Sequence, residues 1–247
     1  MSNGEEFLQQ GHAAYDQGRF DEALICYGQA VMLVPDSETA HYDLANTLMK
    51  LSQHERALEH YLRALELNPH RAKTYNNIGL IHKQLQNWEQ AEIWFRKALE
   101  IDPGYFRACN NLGNLFVLLG KPDEAERWYL RCLALEAEHV SALFNLAHLY
   151  HEGGRDGEAA RLYSQVVYVD PDHAPAWCEL GLLAEQAGSG ETAIQCWQRA
   201  IESDAQHFPS LVNLARMLRR LGQTEEADEI YKRLQLWGDQ DYKVSKN

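Results

Sequence analysis

Residues 106–139 read FRACNNLGNLFVLLGKPDEAERWYLRCLALEAEH, and their pattern decides the fold. Phe106 to Leu119 carries Leu112, Leu115, Phe116 and Leu119 at helical spacing. Gly120 breaks that helix. Pro122 stands where a second helix can begin, because its fixed φ suits a first turn and its missing N–H is not needed there. Asp123 and Glu124 then suit the positive end of the helix dipole. Ala125, Trp128, Tyr129 and Cys132 continue an apolar face. The stretch is a pair of helices joined by a tight turn.

The pair recurs along the whole chain. With a period of 34 the blocks are 4–37, 38–71, 72–105, 106–139, 140–173, 174–207 and 208–241, a single array of seven followed by a tail, 242–247. The twentieth place is Ala in every block, from Ala23 to Ala227. The twenty-fourth is always aromatic: Tyr27, Tyr61, Phe95, Tyr129, Tyr163, Trp197 and Tyr231. The eighth is always Gly or Ala, and the thirty-second is Pro at Pro35, Pro69, Pro103 and Pro171. Small residues at the eighth and twentieth places allow two helices to approach closely, and the aromatic is expected to fill the gap to the next block. In those four blocks the Pro column ends the second helix and forces a bend. A block cannot bury its apolar face alone, so stacked neighbours must do so.

The period and these columns resemble the tetratricopeptide repeat (TPR) family over residues 4–241. The resemblance implies an all-α fold: an α-solenoid, a right-handed superhelix of helix-turn-helix repeats. First helices would line its concave face and second helices its outer face.

Composition narrows function. Lys plus Arg is 23 against 36 Asp plus Glu, a formal charge of −13, which repels phosphate backbones and argues against nucleic-acid binding. Apolar runs are too short for membrane insertion. The N-terminus lacks signal-peptide character, and an odd five cysteines without a Cys-x-x-Cys pair suggest a reducing, cytoplasmic setting. No nucleotide-binding, zinc-protease or nucleophile-elbow motif is present, so a non-enzymatic role without cofactor or metal is expected. His148, His151 and Glu152 share one helical face, but the sequence offers no further ligand.

By the resemblance, places 2, 5, 6, 9, 12 and 13 of each first helix face the groove. The sixth place reads Gln9, Asp43, Asn77, Asn111, Asn145, Glu179 and Asn213. Asn76 and Asn110 add amides at the fifth place, and Asn46 and Asn114 at the ninth. Asn is a poor helix former, so propensity does not explain it. Its amide can match both the N–H and the C=O of an extended peptide. The column is similar to the asparagine ladder in the TPR superhelix of O-GlcNAc transferase, which implies Asn77, Asn111, Asn145 and Asn213 as rungs; Asp43 and Glu179 interrupt it. The alternative is that these amides solvate the groove or bond the neighbouring repeat.

The family's carboxylate clamp fits less well. Lys73 and Arg107 offer cations at the second place, yet Leu8, Tyr42 and Asn76 occupy the fifth, where the clamp wants lysine. The second to fourth blocks are near neutral between acidic flanks, and Lys50, Lys73, Lys83 and Arg107 fall at groove places there. A segment of mixed or mildly acidic character suits such a surface. Arg216, Arg219 and Arg220 form a further basic cluster.

The expected function is an adaptor binding an extended segment of a protein partner. The alternative is a scaffold or assembly factor using its convex face or C-terminal end. There Ile230, Leu234, Leu236 and Trp237 lack a following repeat, which is a route to self-association.

Overall fold

The computed structural model describes the backbone of residues 3–244 and the side chains of residues 3–235. Among the described residues the secondary structure is entirely helical, and fourteen helices pair as seven helix-turn-helix repeats. Helices of the first compact unit, Met1–Leu135, are α1 Asn3–Asp16, α2 Phe20–Leu33, α3 Glu38–Lys50, α4 His54–Leu67, α5 Ala72–Gln84, α6 Trp88–Ile101, α7 Phe106–Leu118 and α8 Pro122–Leu135. The second unit, Glu136–Asn247, contains α9 Val140–Glu152, α10 Asp156–Val169, α11 Ala174–Gln186, α12 Gly190–Ser203, α13 Phe208–Arg220 and α14 Thr224–Val244. In each unit an α-solenoid forms as each helix packs on the next. The last helix continues through 242–244, where a tail was expected; Leu236 and Trp237 lie outside the residues whose side chains are described.

Each first helix ends in a left-handed residue that turns the chain back. In the fourth repeat the Lys121 N–H reaches the Phe116 carbonyl at 2.9 Å and the Gly120 N–H reaches Val117 at 3.0 Å, the paired bonds of a Schellman ending. Gly120 has φ +67°, which costs glycine nothing. Five repeats place glycine there; the second and third place Ser52 and Gln86, at φ 57° and 59°. Second helices end differently. Val34, Asn68, Asp102 and Asp170 are all drawn out of helical geometry, with ψ between 71° and 96°, as suits a residue before proline; Asp204, which Ala205 follows, takes the same geometry at ψ 101°.

The core adds to one packing expectation. The aromatic of the twenty-fourth place reaches the next repeat at Tyr61, whose hydroxyl meets the Asn77 amide at 3.1 Å, but its ring also packs within its own repeat. It lies on the eighth place of its own repeat, where a Cβ added at Gly113 would come within 2.4 Å of the Tyr129 ring, and one at Gly181 within 2.4 Å of the Trp197 indole. Gly11 and Gly79 stand in the same relation to Tyr27 and Phe95. The eighth place is small because a ring, rather than the partner helix's alanine, occupies the space above it. These rings are fully buried and carry much of the apolar area that stabilises each repeat.

No described helix is long and apolar enough to cross a membrane. All five cysteines are free thiols, four of them buried.

Candidate functional site

In the first unit the inner faces of α1, α3 and α5 form a cleft of about 460 Å³. Its lining comes from groove places and their neighbours: His12, Tyr15 and Asp16 from α1, Tyr42, Asp43 and Asn46 from α3, and Arg71 and Lys73 at the start of α5. His12 and Asp43 pair across the first two repeats at 2.8 Å. Arg71 lies flat on Tyr42, its guanidinium carbon 3.5 Å from the ring centroid, and also bonds Glu38 at 2.5 Å. Lys73 stands 5.5 Å from the same ring. Among the described residues neither Lys73 nor Arg107 has a carboxylate within 4 Å, and both are exposed.

Tyr105 joins the two cations. Burial pushes its hydroxyl above the ordinary tyrosine value, while the charge of Arg107, a hydrogen bond to Arg107 and the charge of Lys73 draw it back. Lys83, on the last turn of α5, is likewise without an acidic partner, and burial lowers its pKa. Farther along, Val117 and Leu118 at the end of α7 are 40% and 60% exposed. The surface thus passes from acid and tyrosine on α1 and α3, through cations on α5 and α7, to exposed apolar side chains.

The asparagines have a second engagement. The Asn77 amide donates toward Asn46 Oδ1 at 3.1 Å and toward the Tyr61 and Tyr42 hydroxyls at 3.1 and 3.2 Å, two hydrogens shared among three oxygens. Tyr61 donates in turn to Asn46 Oδ1 at 2.6 Å. Asn111 donates to Asn76 Oδ1 at 2.7 Å. In the second unit the Asn213 amide meets the Cys178 sulfur at 3.9 Å. Three of the four sixth-place asparagines therefore direct their N–H groups at the preceding repeat. Asn145 is half-buried and also engaged. The fifth-place amides are deeper than the sequence suggested. Asn76 is 4% exposed and Asn110 is 9% exposed, with the Asn110 Oδ1 lacking a hydrogen-bond partner, so this place lies between first helices.

The ninth place shows a logic the sequence reading missed. Asn114 accepts from the Tyr129 hydroxyl at 2.7 Å, as Asn46 does from Tyr61. Where the ring is Phe95, which needs no acceptor, the ninth place is Leu80. The signal was present in two columns read separately. Also missed were His12, Tyr15 and Asp16, whose groove places were known but whose chemistry emerges only beside Tyr42 and Asp43.

In the second unit His151 bonds Asp156 at 2.7 Å, and His148 lies 3.6 Å from Glu152. No cluster of three metal-binding side chains occurs among the described residues. Arg216 and Arg220 both pair with Glu185, at 3.0 and 3.1 Å, so this cluster is partly neutralised. On the second helices Trp128 sits between Arg96 and Arg131, 5.2 and 5.3 Å from the ring centroid, and Trp94 packs against Tyr75, His82 and Lys97.

Comparison with known proteins matches this geometry to a family. Profiles described as tetratricopeptide repeat match residues 36–104, 70–138, 110–175, 157–206 and 196–229, and one described as TPR repeat matches 11–52. The photosystem I assembly protein Ycf3 of Synechococcus elongatus is 35% identical over 78 residues, 30% of this chain and 45% of that protein. The chain spans less than half the length of the curated relatives it matches. Among solved structures, YrrB, described as a TPR protein with an unusual peptide-binding site, aligns with a TM-score of 0.56 and 25% identity over 75% of this chain and 95% of its own. PilF of Pseudomonas aeruginosa aligns with a TM-score of 0.73 and 20% identity over 87% and 97%, a likeness of fold.

Proposed function

Because the chain belongs to the tetratricopeptide repeat family, a family of protein-interaction domains, we propose that it is a non-enzymatic adaptor that holds an extended segment of a partner protein on the inner face of its first unit. One observation carries this reading: Lys73 and Arg107, exposed and without acidic partners, converge with Tyr42 and Tyr105 beside an open cleft. Cations held at such a surface without a protein counter-charge favour an acidic side chain on the incoming segment. Each charge-assisted hydrogen bond contributes about 1.5–3 kcal/mol. Asp16 and Asp43 at the α1–α3 end suit a basic residue. The segment is therefore of mixed charge, and the similarity to a structure with a peptide-binding site supports the same class of ligand.

The asparagine column has a reduced part in this proposal. Micromolar affinity needs about 8 kcal/mol. Amides whose N–H groups already brace the preceding repeat supply little of that. Asn77 and Asn111 shape the groove wall, and the charged and aromatic side chains supply the selectivity. Asn145 and Asn213 would do the same within the second unit.

A lysate pull-down with quantitative mass spectrometry tests the proposal, comparing wild type with Lys73→Glu/Arg107→Glu. Both positions are exposed, so the variant should fold with an unchanged circular dichroism melt. Loss of specific partners by tenfold or more is expected. Retention of the same partners at the same levels would exclude this surface.

A second reading has its own observation. Ile25 and Met32 on α2, with Ile93 on α6 and Leu130 on α8, are 65%, 76%, 44% and 46% exposed on second helices. That surface suits a scaffold working through its outer face, and an assembly protein is among the relatives. Met32→Lys should abolish partner capture in that case and leave it intact in the first.

A further inference from the structure

Three successive repeats place a histidine immediately before a first helix: His139 before α9, His173 before α11 and His207 before α13. At two of them the ring is the helix cap. The Ala142 N–H donates to His139 Nδ1 at 3.1 Å, and the Ala176 N–H donates to His173 Nδ1 at 3.1 Å. Each N–H is shared with the same histidine's carbonyl, at 2.9 and 3.1 Å.

A ring nitrogen that accepts a hydrogen bond carries no proton, so both rings are neutral in this arrangement, with the hydrogen on Nε2. An imidazolium would set one N–H against another, at the positive end of a helix dipole. Neighbouring groups bear on the balance. Glu136 and Glu138 precede His139 in sequence, and Asp170 and Asp172 precede His173; carboxylates favour the charged ring. The His173 ring itself packs on Phe144 with centroids 5.0 Å apart, and no carboxylate among the described residues lies within 4 Å of it. His207 bonds Ser210 Oγ at 2.8 Å; burial lowers its pKa, opposed by Asp204 and Glu179. In the first unit the same place holds Ser37, whose hydroxyl caps α3 by accepting from the Ala40 N–H at 3.3 Å, and then Arg71 and Tyr105, which make no side-chain cap bond.

We propose that His139 and His173 make the second unit acid-sensitive: neutral imidazoles hold the first turns of α9 and α11, and protonation releases both. The stabilisation belongs to the neutral rings and is lost on acidification. His207, lowered by burial, acts with the same sign. The released turns belong to helices that carry Asn145, His148 and Glu179, so mild acid loosens that inner face.

Hydrogen exchange with mass spectrometry on the whole chain tests this at pH 7.5 and 5.5, corrected for intrinsic rates. Amides 142–146 and 176–180 are compared with 108–112 of α7, which has no side-chain cap bond. α3 is a poor reference, because His41 within it bonds His60 at 2.9 Å and burial lowers the His60 pKa. Protection in α9 and α11 should fall about threefold to tenfold further than in α7, the size expected for losing a cap. In His139→Ser/His173→Ser, serine keeps the cap without a titrating group, so protection at pH 7.5 should persist and the acid-dependent loss should vanish. An α9 and α11 response no larger than that of α7 in wild type overturns the proposal whether or not the variant folds. So does an undiminished response in the variant. His207→Ser alone should leave the α9 and α11 response in place.

Discussion

Tyr129 and Asn114 show how a buried hydroxyl is tolerated in this architecture. The ring lies on Gly113 and is 1% exposed, and burial raises its hydroxyl pKa, so it stays protonated and must donate. Asn114 Oδ1 accepts that hydrogen bond at 2.7 Å. Asn114→Leu should cost about 1–3 kcal/mol, because it strands the hydroxyl. Adding Tyr129→Phe should recover part of the loss, since it recreates the Phe95–Leu80 pairing of the third repeat. Urea unfolding of the two single variants and the double should give a coupling of about 1 kcal/mol, and additive effects would contradict the pairing. Gly181→Ala tests the complementary contact. A methyl there would meet Trp197, which is fully buried, at 2.4 Å. Overpacking costs about 1–3 kcal/mol, while alanine gains nearly 1 kcal/mol in helix propensity. A net loss of up to about 2 kcal/mol is expected in the same assay.

The turn between helices is where sequence and structure meet most closely at the scale of the element. Glycine in five repeats made it legible, and so did the proline column. Ser52 and Gln86 were not legible, because neither residue type favours a left-handed backbone; only the period of 34 places them there. Each is strained by about 1–2 kcal/mol relative to glycine. Ser52→Gly and Gln86→Gly should therefore each stabilise by about 0.5–1 kcal/mol, less than the strain because glycine also loosens the unfolded chain. Unchanged or lowered melting midpoints would contradict that. The helix pairs were readable for the same reason that they fold: each carries an apolar face of helical period beside a turn, and in four repeats a proline follows. Which neighbour each aromatic touches was not readable, since a column gives a residue's type but not its direction.

The inner face of the first unit draws on four repeats at the scale of the whole molecule, and its chemistry was only half visible in the sequence. Lys73, Arg107 and Asn46 stood out by column. His12, Tyr15 and Asp16 acquire meaning only through residues some thirty positions away, as when His12 meets Asp43 at 2.8 Å. The asparagines were visible as a pattern, but hydrogen bonding to the repeat before them was one of two readings the pattern allowed. The central claim is that a partner segment lies on this inner face. Photo-crosslinking measures it most directly, with p-benzoylphenylalanine placed at Lys73 in one protein and at Met32, on the outer side of α2, in another. Incubated with cell extract and mapped by mass spectrometry, the Lys73 position should capture an extended partner segment of mixed charge and the Met32 position should not. Capture at Met32 with none at Lys73 would contradict the account and assign partner binding to the outer face.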